Sequence, residues 1–318
     1  MPAAEQGKPA PETLFPVKFI IGSRQVLAAP KALHKVSFSL EELADGSLPK
    51  LPPLNKKLDG YRIFSAPRDS AELIRAMAPG YIIGGRHDYP RHFIDMTGDF
   101  ENYLADFSGK TRSTLRRKTR NLEREAAQIE GGAVVVREFR TPAEISEFLD
   151  LALPLSRRTY QARMLDAGLP EDDAARSAMM KLAAQDNLRC YLLLFRGIPI
   201  SYLFLPIKGI SVIYAYLGYD EDYRRLSPGT VLQLHALEQL FAERRYRYFD
   251  FTEGDGPHKA MFANRSMDAC SFFLLRATPG NRLLLASLKI FNAAVAGARA
   301  LLTSFGAQSK IRQALRRA

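Results

Sequence analysis

Two short stretches of this chain hold residues that could do chemistry. The first is Arg224-Arg225-Leu226-Ser227-Pro228-Gly229-Thr230, a basic link that leads into an apolar helical pattern. Proline is suited to a first helical turn, where its missing N–H costs nothing. Glycine lets a ligand approach the backbone closely. A helix N-terminus offers unpaired N–H groups and a partial positive charge, so with two arginines beside it this link could hold a phosphate or pyrophosphate. An ordinary helix start with two solvated arginines would have the same residues. The second stretch is Asp250-Phe251-Thr252-Glu253-Gly254-Asp255-Gly256-Pro257-His258-Lys259, two glycines beside three carboxylates at the end of a strand pattern. Acylation of an amine needs a base for the amine proton and a donor for the carbonyl oxygen as it gains charge. Glu253, Asp250 or His258 could be that base. The plainer reading is a polar turn with an aspartate capping a short helix.

The elements around these stretches are the most regular in the chain. LRCYLLLF, ISYLFLPI and SVIYAYLGY read as three strands over 188–219 with short links, hence an antiparallel meander. A helix over 230–245, a strand over 246–251, a short helix and a last strand over 270–276 follow. Upstream, the spacing predicts helices over 100–107 and 110–128 and a strand over 131–139. Thr141-Pro142-Ala143-Glu144 then starts a helix, with threonine at the cap and proline at the first position. The first third reads as strands over 17–40, a proline-rich loop over 41–60, then strand, helix and two more short strands up to residue 98. The expected division is a flexible tail (1–16), an N-terminal α+β lobe (17–98), a catalytic domain (99–276) and a C-terminal helix with its tail (277–318).

Composition narrows the class. The 318 residues are 47% hydrophobic and 25% charged, which suits a globular protein and not a disordered one. No uncharged apolar run reaches the ~18–20 residues of a membrane-spanning helix. The first residues lack the pattern of a secretory signal. Cys190 and Cys270 both lie in apolar runs, so two reduced, buried thiols in a cytoplasmic protein are expected. His87 and His92 have no ligand partner at metal spacing, and no metal site is expected.

The run Tyr216 to Leu232, with Arg224-Arg225-Leu226-Ser227-Pro228-Gly229-Thr230 at its centre, and the later Phe249-Asp250-Phe251-Thr252-Glu253-Gly254-Asp255-Gly256-Pro257-His258-Lys259, resemble the GNAT acyltransferase superfamily. Within it they are similar to the branch of cellulose-biosynthesis acetyltransferases and Fem-type peptidoglycan aminoacyl-transferases. The basic helix and the Thr141 helix fit that branch, and the resemblance covers about residues 100–276. It implies an α+β fold with a mixed, mostly antiparallel GNAT sheet flanked by helices. It also implies a smaller N-terminal lobe, which in Fem-type relatives is a degenerate second GNAT unit. The sheet of this superfamily splays after its fourth strand and admits acyl-CoA there. Carried over, Tyr216, Arg224, Arg225, Ser227, Gly229 and Thr230 would hold acetyl-CoA or another acyl-CoA, and Lys259 would steady negative charge. Arg157, Tyr160 and Gln161 would line the acceptor side, where a small amine, a hydroxyl or a sugar of envelope or exopolysaccharide synthesis would bind. The loop has fewer glycines than the common GNAT pattern, and some relatives use aminoacyl-tRNA as donor. A non-catalytic scaffold in a membrane biosynthetic complex is the third reading.

The net charge of +11 is unevenly spread. From Arg276 onward there are eight basic residues and no acidic one. The helix over 110–124 has seven basic residues against Glu123, with Arg112, Arg116, Arg120 and Arg124 on one ridge. The remainder is slightly acidic. This argues against a general nucleic-acid binder. It points to a cytoplasmic protein, peripheral at the inner membrane face, whose residues 281–318 meet anionic lipid. Binding of tRNA is expected only under the aminoacyl-transfer reading.

Overall fold

The computed structural model describes residues 13–22, 24–159 and 168–304. The chain forms two compact units, residues 1–90 with 267–318, and residues 91–266. These divisions fall within two long strands, whereas the sequence pattern places boundaries at 98/99 and 276/277.

In the first unit β1 (Thr13–Ile21) and β2 (Arg24–Ser37) form an antiparallel hairpin. The strand thus begins inside the stretch expected to be tail. β2 pairs in parallel with β3 (Gly60–Pro67), and β3 pairs antiparallel with β11 (Arg265–Arg276). β4 (Tyr81–Asp95) lies next to β11. The polar Gly85–Asp88 stretch and Pro90 interrupt its apolar alternation, which is why the sequence pattern shows two short strands here. Two short helices, α1 (Leu40–Ala44) and α2 (Ala71–Ala76), complete this layer. Ser39 and Glu42 form a capping box that starts α1 inside the stretch expected to be loop. Alternate residues of β11 serve opposite faces. Phe272 and Leu274 pack with Tyr61, Ile63 and Ile74, while Phe273 and Leu275 pack with Val17, Phe19 and Leu33. The second face is covered through Leu285 and Leu288 of the long C-terminal helix (Pro279–Ser304).

The second unit takes the last residues of β4 and continues with α3 (Phe100–Ala105), α4 (Gly109–Ala126) and β5 (Val134–Phe139). Next come α5 (Pro142–Arg158), α6 (Asp173–Ala184), β6 (Leu188–Phe195) and β7 (Ile198–Lys208). Thr141 and Glu144 form the expected capping box of α5, with Pro142 at its first turn. β5, β6 and β7 are antiparallel. The stretch Ser211–Tyr219, which reads as one strand, is two: β8 (Ser211–Ile213) and β9 (Tyr216–Tyr219). A 3₁₀ turn (Glu221–Leu226) leads to α7 (Pro228–Ala242), then β10 (Tyr248–Asp250) and α8 (Pro257–Phe262). β8 pairs antiparallel with β7 and parallel with β10, and β10 pairs antiparallel with Phe93–Asp95 of β4. The result is α+β, with a mixed, mostly antiparallel sheet flanked by helices.

α7 is the central helix of this unit. Val231, Leu232, Ala236, Leu237, Leu240 and Phe241 are buried, and it packs on β6, β7 and β9. α4 lies against α7 through its buried Leu115, Leu122 and Ala126, spaced at helical period. The C-terminal end of β10 is fixed by charge. Asp250 is fully buried, and both its oxygens meet the buried Arg91 guanidinium, with Nε to Oδ1 at 3.1 Å. Removing one partner of a buried pair leaves the other charge uncompensated and costs ~3–5 kcal/mol, whereas replacing both with apolar residues is often neutral. Arg91→Ala should therefore lower the unfolding free energy, measured by urea titration, by an amount in that range. Arg91→Met with Asp250→Leu should recover most of it.

Candidate active site

β8 and β9 have different neighbours. Tyr214, just after β8, donates its N–H to the Asp250 carbonyl at 2.9 Å. Beyond it β9 stays with β7, in register Ser201↔Tyr219 to Phe204↔Tyr216, and pairs with no other strand. One edge of β9 is therefore unpaired, and the sheet opens between β9 and the chain that follows β10.

The opening leads to a pocket of about 440 Å³ lined by Tyr214, Leu217, Tyr219, Arg224, Ser227, Pro228, Gly229, Thr230 and His258. Its far wall is the N-terminus of α7. Ser227 has φ +54°, a left-handed conformation, and makes no side-chain cap. Pro228 contributes no N–H, as its place in the first turn allows. A Cβ at Gly229 would come within 2.9 Å of Leu217 Cδ2, a side-chain end that would have to shift to admit it, so glycine lets this turn sit close to β9. Lys118 of α4 reaches the same place and donates from Nζ to Thr230 Oγ1 at 3.2 Å. Burial, then the neighbouring Arg117, lowers the pKa of Lys118. An anion here would meet Lys118, Arg224 and a helix N-terminus together.

His258 forms the inner wall. Its Nε2 donates to Gln233 Oε1 at 2.6 Å and lies 3.2 Å from the Tyr214 hydroxyl. The ring packs edge-on against Phe262 at 5.1 Å. Burial, with the positive charges of Lys118 and Lys259, pushes the imidazole pKa down to about 4, so His258 is neutral at pH 7. Gln233 is fully buried on α7, and its Nε2 has no hydrogen-bond partner among the described residues. Lys259 lies next along α8 and donates to the Glu253 carbonyl. Burial lowers its pKa, against the pull of the Glu253 and Asp250 charges.

The structure brings Arg224, Ser227, Gly229, Thr230 and His258 to one pocket, with Lys259 and Glu253 next to it in the chain. It separates others from it. Tyr216 does not line the pocket. Strand alternation turns Leu217 and Tyr219 toward it and Tyr216 toward Phe204 at 5.9 Å. Arg225 points outward, 76% exposed and 3.8 Å from Glu125. Asp250 is held by Arg91 and is not available as a base. Arg157 is paired with Glu171 at 2.5 Å. Tyr160 and Gln161 lie outside the described residues. Sequence reasoning missed Gln233, Lys118 as a pocket residue, and the His92–Asp255 pair, whose Nε2–Oδ1 distance is 2.9 Å. Gln233 is polar within the apolar face of α7, between Leu232 and Leu237, which was the available signal. Among the described residues no group of His, Cys, Asp and Glu could hold a metal ion.

Residues 109–260, just under half of the chain, match the family described as Acetyltransferase (GNAT) domain. FemX has the same fold, at 11% identity over 86% of this chain and 90% of FemX, with a TM-score of 0.52. The fold expected from the Fem-type resemblance is thus present. L-PGS from Bacillus licheniformis is 14% identical over 73% of this chain and 72% of its own, with a TM-score of 0.48. No curated protein matches the sequence.

A carboxylate next to an imidazole favours its charged form. Gln233→Glu should therefore raise the His258 titration midpoint, followed by NMR, from about 4 toward the ordinary histidine range.

Proposed function

We propose that this chain is an N-acyltransferase that passes an acyl group from acyl-CoA to an amine. The observation that supports this reading is the pocket at the start of α7. It combines Lys118, Arg224 and an uncapped helix N-terminus at one end with an unpaired strand edge at the other. The first set suits phosphates, and the free N–H and C=O groups of β9 suit an amide-bearing arm laid beside them. The pocket contents fit such a donor. Gly229 lines the pocket, and behind His258 the Nε2 of the buried Gln233 has no hydrogen-bond partner among the described residues.

Bound acyl-CoA would supply a thioester carbonyl open to attack by an amine. Lys259, held as a cation against the Glu253 carbonyl, stabilises negative charge on the acyl oxygen. Glu253 would take the amine proton as the C–N bond forms and the thioester C–S bond breaks, the CoA sulfur leaving as a thiolate that is protonated from solvent. Glu253 and Asp255 are the exposed carboxylates of the loop, and of the three only Glu253 is not paired with a cation or imidazole among the described residues, Asp250 being held by Arg91 and Asp255 by His92. His258 stays neutral and holds the Tyr214 and Gln233 side chains in place. The acceptor is an amine on a small molecule or glycan, a choice that rests on the family resemblance.

Binding of acetyl-CoA should be measurable by calorimetry and at least tenfold weaker in Arg224→Ala and Lys118→Ala. Lack of binding by any acyl-CoA would sink the donor assignment. Aminoacyl-tRNA is the second reading, and one observation favours it. Arg116, Arg117, Arg120 and Arg124 are exposed on α4, the helix that carries Lys118. Salt-sensitive tRNA binding that these arginines control, without acyl-CoA binding, would select it.

Because Lys259 acts as a cation with a lowered pKa, activity should fall as pH rises, starting below the ordinary lysine range. Lys259→Ala should reduce kcat at least a hundredfold and abolish that alkaline limb. An unchanged pH profile in the variant would remove Lys259 from the mechanism.

A further inference from the structure

The first unit carries exposed apolar residues that its own core does not use. At the turn of the β1–β2 hairpin Ile20, Ile21, Val26 and Leu27 are 43–59% exposed. They crowd into the last pairs of the ladder, where Phe19 faces Leu27, Ile20 faces Gln25 and Ile21 faces Arg24. The C-terminal helix, α9 (Pro279–Ser304), adds Leu283 and Ile290, 73% and 71% exposed. These are seven residues apart and so share one face, about 10 Å from each other along the axis. The two elements meet at Phe19 and Phe291, whose rings lie 5.3 Å apart at a 77° angle. Phe19 and Leu27 are a cross-strand pair and Ile21 follows Phe19 at strand period, so these side chains share the hairpin face that meets α9, whereas Lys18 and Ile20 lie on the other face of the tip. Beyond Phe291, Asn292–Ala294, Ala296–Ala298 and Ala300 are exposed as well.

The charges around this apolar surface have one sign. Residues 13–37 contain Lys18, Arg24, Lys31 and Lys35 and no carboxylate. Lys31 is taken up by Asp59 at 3.3 Å, while Lys18, Arg24 and Lys35 are exposed. α9 adds the exposed Arg282 and Lys289, and it too has no carboxylate. Large exposed apolar patches on soluble proteins mark interaction sites. Exposed apolar side chains flanked by lysine and arginine alone match the acyl boundary and the anionic headgroups of a bilayer. No helix among the described residues is long and apolar enough to cross a membrane. Such a surface would therefore lie on the bilayer and not span it.

We infer that the tip of the β1–β2 hairpin and the outer face of α9 form one docking surface for a bilayer rich in anionic phospholipid. Ile20, Ile21, Val26 and Leu27 enter the acyl boundary, and Lys18, Arg24, Arg282 and Lys289 meet the phosphates. The expectation from sequence was limited to residues 281–318. The hairpin, more than two hundred residues away, is the new part. The surface is independent of the transfer reaction proposed above.

The test uses the full chain with vesicles of phosphatidylcholine alone, and of equal parts phosphatidylcholine and phosphatidylglycerol. Co-sedimentation should occur with the second, weaken with added salt, and fall at least tenfold in Ile20→Ser with Leu27→Ser and in Lys18→Glu with Arg24→Glu. Both double variants should keep the parent's circular dichroism and its binding of acetyl-CoA. Retained acetyl-CoA binding separates failure here from failure of the donor assignment. The chain has no tryptophan, so Val26→Trp supplies a single reporter at the hairpin tip. Its emission should shift to the blue on the anionic vesicles. Equal binding to both vesicles, hairpin variants that bind like the parent, or an unshifted Val26→Trp emission would overturn the inference. So would loss in these variants of a self-association seen without lipid, which would assign the surface to a second copy of the chain.

Discussion

Tyr214 is where two strands part. Its N–H is the last to reach the chain of β10, and from the next residue on β9 stays with β7 alone. A backbone edge left without a partner is normally a liability for a protein. Here it becomes one wall of the pocket, because α7 starts opposite it and Gly229 allows that start to come close. The left-handed Ser227, the 3₁₀ turn before it and the proline after it are the local means of turning the chain from β9 into α7 within a few residues.

What lies around the opening is held by groups that look catalytic in a list of residues but act as supports. Asp250 ends β10, and Arg91 neutralises it in the interior. The residue that follows the strand is therefore fixed, and the loop carrying Glu253, Asp255 and Lys259 starts from a rigid point. His258 is kept neutral by burial and by two nearby cations, and its ring nitrogen is taken by Gln233 and Tyr214. The residues of the stretch are thus separated into supports with a charged or polar partner, Asp250, Asp255 and His258, and the exposed Glu253 with Lys259 against its carbonyl.

Much of this was legible from residue order. The antiparallel meander, the capped start of α5 and the basic link into α7 follow from patterning, caps and breakers, which are local properties. The parting of β8 from β9 was not legible, since SVIYAYLGY reads as one apolar strand and its neighbours are chosen by tertiary contacts. Strand alternation decided against Tyr216 in the same way, as the phase of a strand depends on which face is covered. Asp250 was misread as a free carboxylate because its partner, Arg91, is 159 residues away. Lys118 was hidden in a run of basic residues, although its place three after Leu115 and four before Leu122 puts it on the buried stripe of α4. The Leu40–Ala44 helix is too short to show a period among prolines and lysines.

The first unit is assembled from both ends of the chain, since β3 must pair with β11 across the whole of residues 91–266. On a ribosome those intervening residues take on the order of ten seconds or more to appear. During that time the second unit has all its strands, while β3 has β2 on one side and nothing on the other. The order of completion is therefore opposite to the order of synthesis. The N-terminal strands, made first, wait for the last strand and the helix after it, and over that interval their apolar faces depend on whatever in the cell binds unfinished sheets.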